Sequence, residues 1–570
     1  MRHANSKRLT NAESAWIAKL ARAIRSSKPD ASASKQTLAK LRFAVKDNID
    51  VKNIPTTAAC PDFRYTPKRN ALVVQNLIDA GATLVGKTNL DQFACGLNGT
   101  RSPYGIVPNS FNSEFVSGGS SSGSAYVVAT GQVDFALGTD TAGSGRVPAG
   151  LNNIVGLKPT RGLISAKGVV PAARSVDTVS IFARDVATAW RVLRASISFD
   201  PSDPYSRSIR IKPSTFPSAL RVGIPDRCEW YGDTISEQHF EQAKGRITAL
   251  GGQLEPIPYK PLLQAASLLY ESALVAERLE VTEPMLDESP DSFDQAVHKV
   301  LIAAKSYSAA DAFRSLNQVR HLKLEADSMW SNIDVLMVPT APRHYRITEM
   351  LADPIELNRR LGYYTNFVNM LDYAAASVPS SIRSDGLPFG VTFIAPAGSD
   401  YQLAEWAHRF HRHTGLTLGA TDEALPESAT TLEPFLEASD PSVRIAVVGA
   451  HLRGMPLNGQ LTACQARFIR ESSTSNAYRL YALADTVPPK PGLIRVPPGT
   501  GACIAIEIWE MPLSSYGSFV SQIPSPLGVG QISTRDNELI QGFLCESLAI
   551  EGSKDITAYG GWKAYLGLKT

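Results

Sequence analysis

Short apolar runs alternate with stretches of helical spacing over residues 40–195. The run LRFAVKDNIDV, which begins at Leu41, predicts a strand that enters a loop. The segment 71–90, ALVVQNLIDAGATLVGKTNL, predicts a helix, a turn at Gly81 and a second strand. Strands that alternate with helices in this way predict an α/β layered fold.

The amino-terminal segment is polar, with apolar residues at the spacing of a helix. These residues are Ala15, Ile17, Leu20, Ala21 and Ile24. The segment lacks the continuous apolar region of a secretory signal. Nowhere does the sequence reach the roughly 18 consecutive apolar residues that a membrane span needs. We therefore expect neither a targeting signal nor a membrane segment.

The pattern changes twice farther along the chain. Residues 236–330 are mostly helical by periodicity, and IDVLMVPTAP (333–342) predicts a buried strand that prolines end. PFGVTFIAPAGSDYQLAEWAHRFHRHTG (388–415) predicts a strand, a loop and a helix. Residues 419–444 are rich in Glu, Ser, Thr and Pro, which is typical of a linker.

After this linker the sequence predicts a second domain of short strands divided by Pro and Gly turns. Examples are RIAVVGAHL, YRLYALAD, ACIAIEIWEMP, GVGQIST and LIQGFLCESLA. We therefore expect one domain over 1–425, a linker over 426–442 and a second domain over 443–570.

Composition narrows the classes of function. The 570-residue chain has 44% hydrophobic and 19% charged residues, which is typical of a globular protein. A net charge of +3 without a basic run gives no reason to expect nucleic acid or an anionic membrane as partner. The six cysteines are far apart and form no C-x-x-C pair. We therefore expect a cytoplasmic setting and neither a disulfide framework nor a zinc site.

Serine and glycine are dense in the segment 116–150, which also has an apolar middle. Its GSSSG matches the G-x-S-x-G pattern of a nucleophile elbow centred on Ser121. Such an elbow needs an apolar strand before the serine and a histidine base, for which His298, His321 or His344 could serve. Because the preceding PNSFNSEFVSG is loop-like, the sequence argues against this arrangement.

A lysine is the alternative base. A lysine buried away from water loses its proton more readily and can then accept one from a serine. Lys46 ends an apolar strand, where its amine could either enter a cleft or extend to solvent. The S-x-x-K match from Ser32 to Lys35 lies in a polar stretch that we interpret as solvated surface.

The GTDTAGS loop (138–144) offers backbone donors. Small residues around Ser144 allow a sharp turn, so that consecutive N–H groups could converge on one oxygen as an oxyanion hole. The candidate donors are Thr141, Ala142, Gly143 and Ser144. A plain glycine turn or an anion-binding loop would have a similar sequence.

Taken together, GGSSSGS and GTDTAGSGRVPAG resemble the signature of the amidase signature family, G-G-S-S-G-G-S followed by G-T-D-x-G-G-S-I-R-x-P. FAVKDNIDV, GKTNLDQFACG, NNIVGLKPTRG and DGLPFGVTFIAPAGSD match the family as well, so the resemblance spans residues 10–420. Ala142 and Gly145 depart from the usual glycine and isoleucine. The resemblance implies an α/β fold, with a mixed β-sheet sandwiched by helices, and a smaller strand-rich α+β carboxy-terminal domain.

The resemblance also implies a Ser–cis-Ser–Lys triad. By motif position Ser144 is the nucleophile, Ser120 is the cis-peptide serine that relays the proton, and Lys46 is the base. Asp140 and Arg146 are expected to form an ion pair that braces the oxyanion loop.

The second domain narrows the substrate, because RIAVVGAHLRGMPLNGQL resembles the γ-glutamylcyclotransferase-like domain of allophanate hydrolases. In that subgroup a tyrosine, an arginine and a backbone glycine hold the substrate carboxylate, and they map to Tyr270, Arg278 and Gly96. One helix over SLLYESALVAERLEV would put the first two on one face. Without the resemblance, a core tyrosine and a surface arginine would be the simpler interpretation.

The resemblance thus implies an amidohydrolase that converts allophanate to ammonia and carbon dioxide through N-carboxycarbamate, without a metal or organic cofactor. His451 is expected either to assist the decarboxylation or to cap a loop. The expected partner is the small-molecule substrate, and the expected state is a homodimer, alone or in a urea- or cyanurate-degrading assembly. The alternatives are a glutaminase-type or general amidase and an inactive scaffold protein.

Overall fold

The computed structural model describes residues 12–26, 37–217, 219–426, 432–434, 442–464, 466–484 and 486–568. The chain divides into two units, Met1–Phe435 and Leu436–Thr570. Residues 432–434, within the expected linker, pack on the first unit. The N–H of Leu432 donates to Glu405, and Trp190 Nε1 donates to the carbonyl of Glu433. The first unit therefore extends beyond the expected boundary at residue 425. The match from Ser32 to Lys35 lies outside the described residues.

The first unit has a large mixed sheet with helices. Its strands are β1 Trp16–Ile24, β2 Arg42–Lys46, β3 Thr83–Thr88, β4 Phe135–Asp140, β5 Val155–Lys158, β6 Thr178–Ala183, β7 Arg221–Pro225, β8 Gln253–Ile257, β9 Val335–Pro339, β10 Tyr373–Ile382 and β11 Pro388–Pro396. Its helices are α1 Leu72–Asp79, α2 Ser122–Ala129, α3 Val147–Leu151, α4 Val186–Ser196, α5 Thr234–Ala249, α6 Lys260–Glu271, α7 Leu279–Glu288, α8 Gln295–Ala304, α9 Ala309–Asp327, α10 Ile347–Ala352, α11 Glu356–Leu361, α12 Asn366–Met370 and α13 Asp400–Thr414.

The sheet has 11 strands in the order β1-β3-β2-β4-β6-β5-β10-β11-β9-β7-β8. β2 runs parallel to β3 and β4, whereas β4 and β5 are both antiparallel to β6. Both faces are covered, because Phe43 and Val45 belong to one buried apolar cluster and the intervening Ala44 belongs to another. The expected α/β fold with a mixed sheet and helices is confirmed.

Two local expectations are wrong. The amino-terminal segment with helical spacing forms the edge strand β1, which pairs antiparallel with β3. Pairing with an available sheet edge overrides a weak helical pattern there. The predicted single helix over Tyr270 and Arg278 is two elements, because α6 ends at Glu271 and a 3₁₀ helix covers Ala273–Arg278. The Ser272 side chain accepts the N–H of Leu274 and so starts the second element.

The second unit is smaller and rich in strands. Its strands are β12 Ser442–Val447, β13 Arg467–Ser473, β14 Tyr478–Ala482, β15 Pro491–Arg495, β16 Ala505–Pro512, β17 Leu527–Ser533, β18 Leu539–Cys545 and β19 Lys554–Asp555. Its helices are α14 Asn458–Ala463, α15 Leu513–Val520 and α16 Trp562–Tyr565. The strands form one sheet in the order β13-β16-β12-β18-β17 and another in the order β15-β14-β19. In the described parts of both units, no helix has the length and apolar character to cross a membrane.

Candidate active site

Three predicted site residues form one hydrogen-bonded chain in the first unit. Lys46 Nζ donates to Ser120 Oγ at 2.8 Å, and Ser120 Oγ lies 2.9 Å from Ser144 Oγ. All three residues are buried, with Ser144 the most exposed at 2%. The peptide bond between Gly119 and Ser120 is cis, at the position that the resemblance implied.

Strand pairing brings these residues together. β2 ends at Lys46 and β4 ends at Asp140, and the two strands are parallel neighbours. The carboxyl ends of parallel neighbours meet at the same edge of a sheet. Ser120 lies just before α2, and Ser144 lies in the loop between β4 and α3. The loops that precede α2 and α3 therefore meet at the end of β2.

The pKa of Lys46 is lowered to about 7, mainly because burial disfavours the ammonium. The carboxylates of Asp91, Asp177 and Asp140 act in the opposite direction and raise this pKa. Thr139 Oγ1 accepts a second hydrogen bond from Lys46 Nζ at 2.7 Å. A substantial fraction of Lys46 is therefore neutral near pH 7 and can accept a proton from Ser120.

Sequence reasoning missed Thr139 as a partner of the lysine. It belongs to the GTDTAGS motif, but only the pairing of β2 with β4 brings its hydroxyl to Lys46. Asp177 was missed as well. Its carboxylate accepts the hydroxyl of Thr141 at 2.5 Å and the N–H groups of Ala172 and Ala173. Burial raises the pKa of Asp177 to about 6.

The proposed oxyanion donors lie in the loop that leads to α3. Among the described residues, no protein group accepts a hydrogen bond from the N–H groups of Thr141, Ala142, Gly143 or Ser144. These donors therefore remain available to a ligand oxygen. Gly143 has φ +149, and a Cβ there would lie 2.3 Å from Thr365 Oγ1, so the loop requires glycine at this position.

A buried ion pair braces this loop, as expected. Arg146 Nε and Nη2 each donate to Asp140 at 2.8 Å in a bidentate pair, and neither side chain is exposed. The guanidinium also binds the carbonyl of Thr365 and Oδ1 of Asn369. The Asp140 carboxylate accepts the N–H of Gly145 as well, so the pair is fixed to the backbone beside Ser144.

Arg278 is buried without a hydrogen-bond acceptor. It is 3% exposed, and Nε, Nη1 and Nη2 have no hydrogen-bond partner among the described residues. Its guanidinium stacks on the ring of Tyr270, 4.8 Å from the ring centre. The two residues meet across the junction of two helical elements, although they do not share one helix face. Burying a guanidinium without an acceptor is costly, so a bound anion would stabilise this position.

Gly96 links the arginine to the serines. Its carbonyl oxygen lies 3.5 Å from Ser144 Oγ. The preceding residue, Cys95, interacts electrostatically with Arg278, as does Asp177. A Cβ on Gly96 would lie 2.5 Å from Asp91 Oδ2, so no larger residue fits there. Lys46, Ser120, Ser144 and Gly96 therefore form one buried cluster, and Arg278 is linked to it through Cys95 and Asp177.

The nucleophile-elbow arrangement is not formed. Ser121 Oγ donates to the carbonyl of Thr139 at 3.2 Å and faces no histidine among the described residues. His344 Nε2 contacts the carbonyl of Pro388 instead. Within the part of the chain that the structure describes, no group of three or more His, Cys, Asp or Glu side chains is arranged to hold a metal ion.

His451 lies in the second unit, in a separate cavity of about 190 Å³. Its Nε2 is 2.8 Å from Gln460 Oε1, and its ring stacks on Phe543 at 5.0 Å. Burial lowers the pKa of His451, and the charge of Lys490, which also lines the cavity, lowers it further. Sequence reasoning did not identify Lys490, which follows β14 along the chain and precedes β15.

Family comparison supports the motif evidence. The model of the family described as Amidase matches residues 1–404. The chain belongs to the amidase family. A second model, described as allophanate hydrolase C-terminal domain, matches residues 443–567.

Individual relatives extend this comparison. Urea amidolyase of Saccharomyces cerevisiae is 44% identical over 536 residues, which cover 92% of this chain and 29% of that protein. The chain therefore spans less than a third of the length of this curated relative. The structure of selenomethionine-substituted Kluyveromyces lactis allophanate hydrolase matches with a TM-score of 0.85 at 41% identity, over 97% of this chain and 93% of that one. The structure of the Kluyveromyces lactis urea amidolyase matches with a TM-score of 0.83 at 40% identity, over 97% of this chain and 34% of that one.

Proposed function

We propose that this amidase-family chain hydrolyses allophanate to ammonia and carbon dioxide. The observation that carries the proposal is the buried, unpaired guanidinium of Arg278 in the site that holds Lys46, Ser120 and Ser144. Allophanate is an amide with a carboxylate at its far end, so one molecule satisfies both the nucleophile and the arginine. The match to Kluyveromyces lactis allophanate hydrolase over nearly the whole of both chains supports the same substrate.

In the first step Ser144 Oγ attacks the terminal amide carbonyl. Its proton passes to Ser120 Oγ, whose own proton passes to neutral Lys46 Nζ. The carbonyl oxygen becomes an oxyanion and accepts N–H groups from the loop 141–144. Lys46 returns the proton through Ser120 to the leaving nitrogen, and ammonia departs from the acyl-enzyme.

In the second step water hydrolyses the acyl-enzyme by the same relay in reverse, and N-carboxycarbamate leaves. During both steps Arg278 pairs with the substrate carboxylate, and the ring of Tyr270 supports its guanidinium. The carbonyl of Gly96, next to the nucleophile, is positioned to accept a substrate N–H. Recognition of the carboxylate thus fixes which carbonyl faces Ser144.

We assign the decarboxylation of N-carboxycarbamate to the cavity of the second unit. This dianion loses carbon dioxide when one of its C–N bonds breaks, and its nitrogen then takes up a proton to give carbamate. Lys490 supplies a positive charge for the dianion. Because His451 Nε2 is hydrogen-bonded to Gln460, its Nδ1 is the ring nitrogen that can face the substrate. A bound dianion would favour the protonated imidazolium, which can then donate a proton from Nδ1. Carbamate then decomposes to ammonia and a second carbon dioxide or bicarbonate.

The proposed setting of the reaction follows from the relatives. The Saccharomyces cerevisiae relative is a urea amidolyase, which supports a place after urea carboxylation. Triazine or cyanurate degradation is the alternative setting that we propose. The six free cysteines fit the proposed cytoplasmic location. A homodimer is proposed as the working unit, and sedimentation equilibrium tests it.

The test of function compares ammonia release from allophanate, glutamine and simple aliphatic amides. Allophanate should have by far the highest kcat/KM, because uncharged amides cannot supply the carboxylate that Arg278 needs as an acceptor. A preference for glutamine would favour a glutaminase-type amidase. No turnover of any amide would favour an inactive scaffold protein.

A further inference from the structure

We infer that Asp91 is a positioning residue that holds the cis-serine loop against the Gly96 segment and places a buried negative charge near Lys46. Asp91 follows β3 and precedes a short 3₁₀ helix, Gln92–Ala94. It is completely buried, and its carboxylate binds backbone groups rather than the hydroxyl of Ser144. The inference rests on the role proposed for Lys46.

The carboxylate organises the segment that contains Gly96. Oδ2 accepts the N–H groups of Asn98 and Gly99 at 3.1 and 3.0 Å, and Oδ1 accepts the N–H of Arg101 at 3.0 Å. Burial raises the pKa of Asp91, whereas the nearby Arg101 guanidinium and these three N–H donors act in the opposite direction and favour the ionised carboxylate. The three hydrogen bonds also fix the turn after Gly96. Because the carbonyl of Gly96 is 3.5 Å from Ser144 Oγ, the same turn sets the position of a group that faces the substrate.

The same residue holds the cis-serine loop. The backbone N–H of Asp91 donates to the carbonyl of Ser120 at 3.0 Å. A Cβ on Gly119 would lie 2.2 Å from Asp91 Oδ2, and one on Gly96 would lie 2.5 Å from it, so the carboxylate packs against both glycines. Asp91 therefore connects two chain segments whose positions decide the geometry of Ser120 and Gly96.

The charge of Asp91 acts on Lys46. Burial lowers the pKa of the lysine to about 7, and among the carboxylates that raise it Asp91 has the largest effect, ahead of Asp177 and Asp140. Asp140 is paired bidentately with Arg146, whereas in the described part of the chain the Asp91 carboxylate accepts hydrogen bonds from backbone N–H groups and forms no ion pair. Arg101 faces Asp91 as a nearby cation, and its guanidinium donates to the carbonyls of Cys95 and Pro354.

The test measures kcat/KM on allophanate against pH for Asp91→Asn. The amide keeps the size of the side chain but removes the charge and replaces one acceptor by a donor. We expect the acid limb to move to lower pH by about one pH unit, since Lys46 loses its main favourable carboxylate. We expect kcat at the optimum to fall about tenfold to a hundredfold, because an amide N–H₂ would face backbone N–H groups. Asp91→Glu keeps the charge and should leave the acid limb in place while kcat falls.

Two further variants make the result decisive. Asp287→Asn removes an exposed carboxylate paired with Lys305 and should leave both limb and kcat unchanged. Arg101→Gln removes the cation that favours the ionised form of Asp91, so it should move the acid limb to lower pH, as Asp91→Asn does, and it tests the charge even if Asp91→Asn does not fold. An unchanged limb in folded Asp91→Asn, or in Arg101→Gln, would overturn the inference. If Lys46→Ala stayed active, the proposed base would be wrong, and this result is distinguishable from a failure of the inference about Asp91.

Discussion

Lys46 Nζ lies 2.8 Å from Ser120 Oγ, and that same hydroxyl oxygen lies 2.9 Å from Ser144 Oγ. Ser120 therefore separates the base from the nucleophile, and a proton from Ser144 must move twice to reach the lysine. This relay works only while Lys46 is neutral, which its burial favours.

We expect Ser144→Ala and Lys46→Ala to abolish amide hydrolysis, and Ser120→Ala to reduce kcat by several orders of magnitude, because the relay works as a unit. Ammonia release and circular dichroism together check activity and folding. Ser121→Ala is the matched control, since the Ser121 hydroxyl binds the backbone of Thr139 rather than the relay, and this variant should retain most activity. Near wild-type turnover by Lys46→Ala would exclude the lysine as base.

The pH dependence should report the same lysine. Neutral Lys46 is the active form, so kcat/KM should rise with pH to a plateau, with a midpoint near the pKa of about 7. The rate at which a sulfonyl fluoride modifies Ser144 should follow the same curve without any substrate. His344 is not expected to contribute, because burial lowers its pKa to about 4. A labelling rate that is flat between about pH 6 and 8 would contradict this prediction.

The motifs predicted much of the first-unit site because its residues lie at strand ends and in glycine-rich loops. Lys46 and the loop after β4 needed only the pairing of two parallel strands to meet. Tyr270 and Arg278 came from the resemblance, and the helix assumed for them was wrong because Ser272 starts a new element. The resemblance thus named two residues that do contact each other, whereas the single helix assumed from their spacing is not formed.

Other features could not be predicted, because they depend on contacts between segments distant in the sequence. Nothing in the sequence near Asp91 indicates that its carboxylate packs on Gly119 or that its charge acts on Lys46. The amino-terminal strand depends likewise on the free edge of β3. Periodicity describes one segment at a time and does not identify such partners.

The ion pair beneath the nucleophile should matter for stability. Removal of one partner leaves a buried unpaired charge, so we expect Arg146→Met to lower the free energy of unfolding by about 3–5 kcal/mol. Denaturant unfolding of the first unit measures this change. Glu114→Gln breaks the exposed pair with Arg346 and should change stability by less than about 1 kcal/mol. Equal effects of the two substitutions would show that the buried pair has no special role.

Arg278 should control which amides are accepted. Arg278→Ala removes the charged partner of the substrate carboxylate, which should cost about 2–5 kcal/mol of binding and raise KM for allophanate sharply. Activity on uncharged amides should change little. Steady-state kinetics on both substrate types measure the difference.

Arg174→Gln is the control for Arg278→Ala. It breaks an exposed ion pair with Glu280 and should alter neither activity. If Arg278→Ala lost allophanate and simple amides equally, the arginine would be structural, and the substrate would have to be bound elsewhere.

The second unit should govern the fate of N-carboxycarbamate. His451→Ala should leave the first release of ammonia unchanged but let the intermediate accumulate, because the proton donor to its nitrogen is missing. Lys490→Met should give the same accumulation by removing the cation that binds the dianion, and Lys554→Met, on a strand outside the cavity lining, is the matched control.

A chain that ends at Phe435 keeps the contacts of residues 432–434 with the first unit and should behave like His451→Ala. Time-resolved carbon NMR on labelled allophanate follows the intermediate directly. If its lifetime were the same in the full chain, the shortened chain and both cavity variants, the second unit would have no part in decarboxylation, and a change in sedimentation alone would identify it as an assembly module.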